Sequence, residues 1–249
     1  MSTATMPASR PALTAKGAAT RARIVEAAAA LVRQRGAART SIDEVRADAQ
    51  VSASQLYHYF SDKNELMRAV VAHEAVVAVE QQPQLAALDS IESLRAWRDA
   101  VVDRAAERQF RGWSSLGSLA SELVDTDPDA RAGLVDGFGL WLAPVQAGLQ
   151  AMRASGALRP DADPDSLAIG LLAALQGGLL VSRIHEETAP LEAALDAAIA
   201  RIESFAPQQP AATEAAAVRR TPASPARASG AAPTSAPRTP LRPRRPLAR

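Results

Sequence analysis

Ser41 and Ser52 stand eleven residues apart, each opening a short apolar pattern, and only Gln50 and Val51 lie between the two patterns to make a turn. Serine hydroxyls accept hydrogen bonds from the unpaired N–H groups of a helix's first turn, and Ser41 with Glu44 has the spacing of a reciprocal capping box. Thr40 is a second candidate cap for the same helix. Ile42, Val45 and Ala49 then share one face of a short helix, and Leu56, Tyr59 and Phe60 one face of the next. Two helices joined this tightly must cross steeply. A longer helix precedes them, with Ile24, Ala28, Leu31 and Val32 at helical spacing from Thr20 onward and Gly36 as its stop.

The same logic extends along the chain. Ser61 opens a fourth helix through Leu66, Val70 and Val77, which Pro83 ends. Helical patterns follow over 90–108, 116–123, 128–156, 166–187 and 190–205, with Pro128 and Pro190 placed for first turns and Gly156 and Pro160 closing the longest of them. Aromatic residues make up only 4% of the chain. Strands draw on aromatic and β-branched side chains, so the reading is an all-α fold. Residues 1–16 read as a flexible arm, 17–77 as a three-helix reader domain with its following helix, 78–206 as a second helical domain, and 207–249 as a disordered tail rich in proline, alanine and arginine.

Charge is uneven. The tail holds eight arginines against Glu214, a formal +7, which leaves −6 on the remainder of a chain whose net charge is +1. Cysteine is absent, excluding disulfides and thiolate metal sites and pointing to the cytoplasm. The apolar run Leu167 to Val181 is broken by Gln176 and is shorter than the roughly 18 residues a bilayer requires, so no membrane span is expected. No secretory signal is read at the N-terminus, and no cofactor or metal is implied: His58, His73 and His185 are far apart in sequence and no carboxylate pair completes a ligand set. There is no G-x-S-x-G elbow, H-E-x-x-H pair or phosphate-binding glycine loop, which argues against an enzyme.

Thr20-Arg21-Ala22-Arg23-Ile24, Gly36, Thr40-Ser41-Ile42 and the run Val51 to Lys63, with Leu56-Tyr57-His58-Tyr59-Phe60 inside it, resemble the TetR family of bacterial repressors. The resemblance implies a helix-turn-helix that reads double-stranded DNA as a homodimer on a palindromic operator. The short helix opened by Ser52 would turn Ala53, Ser54, Gln55 and His58 toward the major groove, where glutamine can pair with adenine. The resemblance places Tyr57 and Lys63 on phosphates, and Thr40 or Ser41 at a helix N-terminus on another. Two positions depart from the family: Arg46 stands where alanine is usual and Gln50 where glycine is usual. Glutamine in a left-handed turn costs about 1 kcal/mol, which a larger core can absorb.

Gly117 to Leu123, Asp127-Pro128, Asp161 to Pro164 and Leu175 to Gly178 are similar, more loosely, to the LmrA/YxaF-type C-terminal domain of that family. This implies a pocket for an apolar or aromatic small-molecule effector, with Trp97, Phe110, Trp113, Phe138, Trp141, Met152 and Gln176 as candidate walls, against the alternative of plain core packing. Leu191, Leu195, Ile199 and Ile202 make an apolar stripe, and Gly170, Ala174 and Gly177 allow close helix approach. Together they are read as the dimer interface, with an internal core as the alternative. Effector entry would swing the fourth helix and change the separation of the two readers. The competing function is a non-catalytic helical adaptor.

Overall fold

A computed structural model describes residues 13–110 and 115–207, and every regular element among them is helical. The order is α1 (Ala15–Arg35), α2 (Ile42–Asp48), α3 (Ala53–Tyr59), α4 (Lys63–Glu80), a 3-10 turn (Pro83–Ala87), α5 (Ile91–Glu107), α6 (Ser115–Leu123), α7 (Pro128–Ala154), α8 (Pro164–His185) and α9 (Ala189–Glu203). Tail residues 208–249 and arm residues 1–12 lie outside the described residues, so the readings made for them end there.

Local chemistry explains most of the boundaries. The hydroxyl of Thr14 caps α1 by accepting from Gly17 N–H, so the helix begins ahead of Thr20 and takes up the last residues assigned to the arm. It ends at Gly36, whose φ of 87° suits a residue without Cβ. At α4 the cap is Asp62, which accepts from Glu65 N–H at 2.8 Å, instead of Ser61; the Ser61 hydroxyl donates to the Glu65 carboxylate. Asp127 and Asp163 cap α7 and α8, each followed by a first-turn proline.

Two apolar cores form, and they do not divide the chain at residue 77. One gathers Ile24, Ala28, Val45, Leu56, Phe60, Leu66 and Val70 from α1–α4 and adds Leu116 and Leu119 of α6 and Leu134 of α7. The other gathers Trp97, Val101, Trp141, Val145, Leu149, Leu171, Leu175, Leu191, Leu195, Ile199 and Ile202 from α5, α7, α8 and α9. Helix α6 therefore belongs by its apolar face to the N-terminal core. Charged ties hold α4 to its neighbours, and the second of them crosses that boundary. Arg33 of α1 pairs with Glu74 of α4, a carboxylate only 2% exposed. Arg68 of α4 meets the α7 cap Asp127 at 3.1 Å.

Inside the second core, Gln82 accepts hydrogen bonds from both the Trp97 and Trp141 indoles, at 3.0 and 3.4 Å, and donates its own amide to the Ala78 carbonyl. The two rings sit 5.9 Å apart, tilted by 57°. Gly148 of α7 meets the chain at Leu88 so closely that a Cβ there would stand 2.1 Å from the Leu88 carbonyl oxygen.

Helix α9 lies between α8 and α5. A Cβ on Gly178 would sit 2.9 Å from Leu191 Cα, and Arg98 of α5 holds Asp196 of α9 through Nε and Nη2 at 2.8 and 2.9 Å. This corrects the expectation for Leu191, Leu195, Ile199 and Ile202: the stripe is buried within the chain's own core, because α9 turns its apolar face inward onto α8 and α5. The expectation about apolar length also changes. At 22 residues and a mean hydropathy of 1.7 over its richest window, α8 is long and apolar enough to cross a bilayer by those two measures. Its Leu167, Leu171, Leu175 and Leu179 face the core, while Ile169, Leu180, Val181 and Ile184 are exposed on the opposite side.

Candidate nucleic-acid interface

The turn between α2 and α3 has the left-handed residue that a glycine would ordinarily supply, with Gln50 at φ 51°. The Ala49 carbonyl beside it accepts from the Arg23 guanidinium of α1 at 3.0 Å, so α1 fixes the turn from behind. Arg46 lies along the surface of α2 and meets Asp43 at 3.3 Å, which keeps its charged end in water and the helix contact undisturbed. Neither departure from the usual small residues prevents the tight crossing.

Helix α3 separates its side chains cleanly. Leu56 and the following Phe60 are fully buried in the N-terminal core, with the Arg21 guanidinium 5.0 Å from the centre of the Phe60 ring. Ser52, Ala53, Ser54, Gln55, Tyr57 and His58 are all exposed. Tyr57 is 55% exposed, whereas Tyr59 is half-buried, with the His58 ring set edge-on 4.9 Å away. The six exposed residues thus make a continuous rim of small and hydrogen-bonding groups on one seven-residue helix and its cap.

Several members of the expected set already make hydrogen bonds through their side chains within the protein, among them Thr40 in the turn after α1, Ser41 with Glu44, and Ser52 with Gln55. Thr40 is 1% exposed, and its hydroxyl donates to the Gly36 carbonyl at 2.8 Å. Its side chain closes the turn after α1 and does not face outward, which leaves the N-terminus of α2 to Ser41. Gln55 forms a second capping box: its Oε1 accepts from Ser52 N–H at 2.9 Å, and Ser52 Oγ accepts from Gln55 N–H at 3.1 Å. Only its amide NH2 projects uncommitted by the cap.

Ser41 is exposed and caps α2, and the Ser41 hydroxyl and amide beside Glu44 hold that carboxyl below the usual carboxylate range. Lys63 opens α4 and reaches across to the Ala38 carbonyl at 3.4 Å. Its ammonium therefore lies over the turn between α1 and α2, beside the two helix starts. Arg23 and Glu122 also position this site and carried no local signal; Glu122 accepts from Ala38 N–H across a separation of 84 residues.

The expected effector walls scatter. Trp97, Trp141 and Met152 are sealed in the second core, with both indole N–H groups satisfied by Gln82. Phe138 packs against the N-terminal core. Trp113 lies outside the described residues. Phe110 and Gln176 do come together, in a cleft of ≈ 260 Å³ between α6 and α8 whose walls among the described residues include Gly117, Ser118, Ser121, Gly177, Leu179, Leu180 and Arg183. Of the small residues placed at an interface, Gly170 and Gly177 lie on the exposed side of α8 and Ala174 is half-buried.

Residues 24–70 match the family described as bacterial regulatory proteins, tetR family, and residues 90–198 match a tetracyclin repressor-like C-terminal domain. Similar proteins include the transcriptional regulator AcuR of Cereibacter sphaeroides, 26% identical over 64% of this chain and 74% of that protein. The HTH-type transcriptional repressor DhaR of a Mycobacterium species is 23% identical over 69% of this chain and 86% of that protein. Among solved structures, a TetR transcriptional regulator from Chloroflexus aurantiacus aligns over 78% of this chain and 98% of its own, with 28% identity and a TM-score of 0.66. Escherichia coli NemR in its reduced form aligns over 77% and 100%, with 22% identity and a TM-score of 0.60, a likeness of fold.

Proposed function

The chain belongs to the TetR family of DNA-binding transcriptional regulators, which are not enzymes, and from that premise we propose that it is a repressor released from a palindromic operator by a small apolar or aromatic effector. One observation carries the DNA reading: the outer face of α3 presents only small and hydrogen-bonding side chains, while Leu56 and Phe60 anchor its inner face. Ala53 and Ser54 let the helix approach base edges, and His58 and the Gln55 amide offer donors. Tyr57, Ser41 and Lys63 flank them as phosphate ligands.

The test is selection from a pool of random-sequence duplexes, followed by binding assays on the enriched site. Tyr57→Ala and Lys63→Ala each remove a hydrogen bond to a charged phosphate, worth about 1.5–3 kcal/mol, and should each weaken binding about tenfold or more with thermal stability unchanged. Enrichment of no duplex in the absence of effector would overturn the reading.

A second copy of the chain supplies the second reader. The exposed face of α8 suits it: Ile169, Val181 and Ile184 surround Gly170 and Ala173, with Leu180 and Gly177 where this face borders the α6 cleft, and Ile184 is 71% exposed. Apolar side chains grouped in this way mark contact surfaces, and the small residues between them permit close helix approach. Ile184→Glu should convert the dimer to monomer in sedimentation velocity while leaving the helical content intact; an unchanged dimer would place the interface elsewhere.

For the effector, the cleft between α6 and α8 is the better candidate than the sealed Trp97–Trp141 core. Phe110, Leu179 and Leu180 supply apolar walls, and Ser118, Ser121, Gln176 and Arg183 supply polar anchors. Its volume lies just below the roughly 300–1,000 Å³ of common ligand sites, which favours a small molecule. The LmrA/YxaF-like character of this half is part of the same reading, and so is a swing of α4 on effector entry, which the ties from α4 to α1 and α7 through Glu74 and Arg68 support.

A further inference from the structure

We infer that Glu122 is the residue through which the contents of the α6–α8 cleft reach the reader, by holding or releasing the turn between α1 and α2; this rests on the reading above. The turn runs from Gly36 to Thr40 and delivers the chain to the Ser41 cap. Its middle residue, Ala38, is gripped at both peptide groups. Glu122 Oε2 accepts from Ala38 N–H at 2.7 Å, and Lys63 Nζ lies 3.4 Å from the Ala38 carbonyl oxygen. The carboxylate is seated against Gly36, where a Cβ would meet Glu122 Oε1 at 2.8 Å. Gly36 thus supplies both the φ of 87° that the turn adopts and the space in which the Glu122 carboxylate sits.

Helix α6 connects this grip to the cleft. Leu116 and Leu119 bury one face in the N-terminal core, while Gly117, Ser118 and Ser121 wall the cleft on another. With Glu122 one residue beyond Ser121 on a helix of nine residues, a displacement of the cleft wall moves the carboxylate with it. A hydrogen bond to a charged acceptor weakens steeply with distance and angle, so a small displacement is enough to free the Ala38 amide. Loss of the grip lets the Ser41 and Lys63 ends of the reader drift, and phosphate contacts depend on their mutual position.

The sign of the effect separates positioning from charge. A carboxylate near DNA repels phosphate, so if Glu122 acted only through its charge, neutralising it would tighten binding. A positioning role predicts the reverse for Glu122→Ala and rescue by Glu122→Gln, whose amide oxygen can still accept from Ala38. On the full-length chain and the selected duplex, Glu122→Ala should weaken binding about tenfold, within the usual range of coupling between sites, and Glu122→Gln should stay within about twofold of wild type. Hydrogen exchange at the Ala38 amide should accelerate in Glu122→Ala and not in Glu122→Gln.

The chain contains no cysteine, so Ser118→Cys gives a single thiol for a naphthyl maleimide, a probe that occupies the cleft without knowledge of the natural effector. The labelled protein, compared with the same variant unlabelled, should bind duplex about tenfold more weakly and exchange Ala38 faster, and in the Glu122→Ala background the label should add little. The inference is overturned if Glu122→Ala binds as wild type does, if Glu122→Gln is as weak as Glu122→Ala, or if the label acts undiminished without Glu122. Thermal melts of each variant separate these outcomes from unfolding. Should wild type select no duplex at all, the DNA reading fails, and the exchange of Ala38 with and without label still decides whether cleft and turn are coupled.

Discussion

Alanine at position 148 is expected to destabilise the protein by about 3 kcal/mol, the upper part of the range for overpacking a close-fitting site. The added methyl would stand 2.1 Å from the Leu88 carbonyl oxygen and 2.8 Å from its carbon. Both obstacles are backbone, so no rotamer change clears them; α7 must move away from the segment linking the 3-10 turn to α5. In a domain of this size the midpoint of thermal unfolding should fall by about 6–12 °C. Gly139→Ala on the same helix is the control, because a Cβ there meets nothing within 4 Å. Removing a glycine from an open helical position should raise stability by up to about 1 kcal/mol. Equal melting points for the two variants would mean that α7 and Leu88 are not in contact in solution.

Gln82→Leu is the second substitution with a large expected effect, although its volume and apolar surroundings make it look conservative. The side chain stands where α4 gives way to the 3-10 turn, and one oxygen accepts from two indoles set in an apolar core. Leucine would fill the space and leave both N–H groups buried without partners. Each orphaned group costs about 1–3 kcal/mol, so the combined loss should be about 2–6 kcal/mol, read by urea unfolding followed through tryptophan emission. A loss below about 1 kcal/mol, the usual scale of a conservative hydrophobic exchange, would show that water or another acceptor reaches the indoles.

Gln82 also illustrates what the sequence conceals. Cap signals act within four residues of themselves, so Ser41, Ser52 and Pro128 announce helix starts in plain order, Ser61 misses the start of α4 by one residue because Asp62 takes the cap, and the left-handed turn at Gln50 follows from the two residues left to make it. The face of α3 is equally legible, since Leu56, Tyr59 and Phe60 fix which side is inward. Periodicity identifies an apolar face without naming its partner, however. Leu191, Leu195, Ile199 and Ile202 form as good a stripe for an interface as for a core, and only the fold shows α8 and α5 already covering it. The exposed apolar side of α8 went unread because that helix is apolar nearly all round. Thr40 was misplaced for a related reason: a threonine at a helix start can cap the next helix or close the previous turn, and its bond to Gly36 settles the choice. Glu122 has no local signature at all, because its partner is separated from it by most of the N-terminal half.

The capping bond made by Gln55 bears on how the proposed reader would discriminate bases. Its Oε1 already accepts from the Ser52 amide, and a carbonyl oxygen keeps a second lone pair, as Gln82 shows by serving two indoles. On the proposed reading an adenine would meet a glutamine whose aim is set in advance by its own helix. Freezing the side chain before contact lowers the entropic cost of recognition, and a base pair lying off that aim would have to be excluded by the neighbours of Gln55 or by the shape of the duplex.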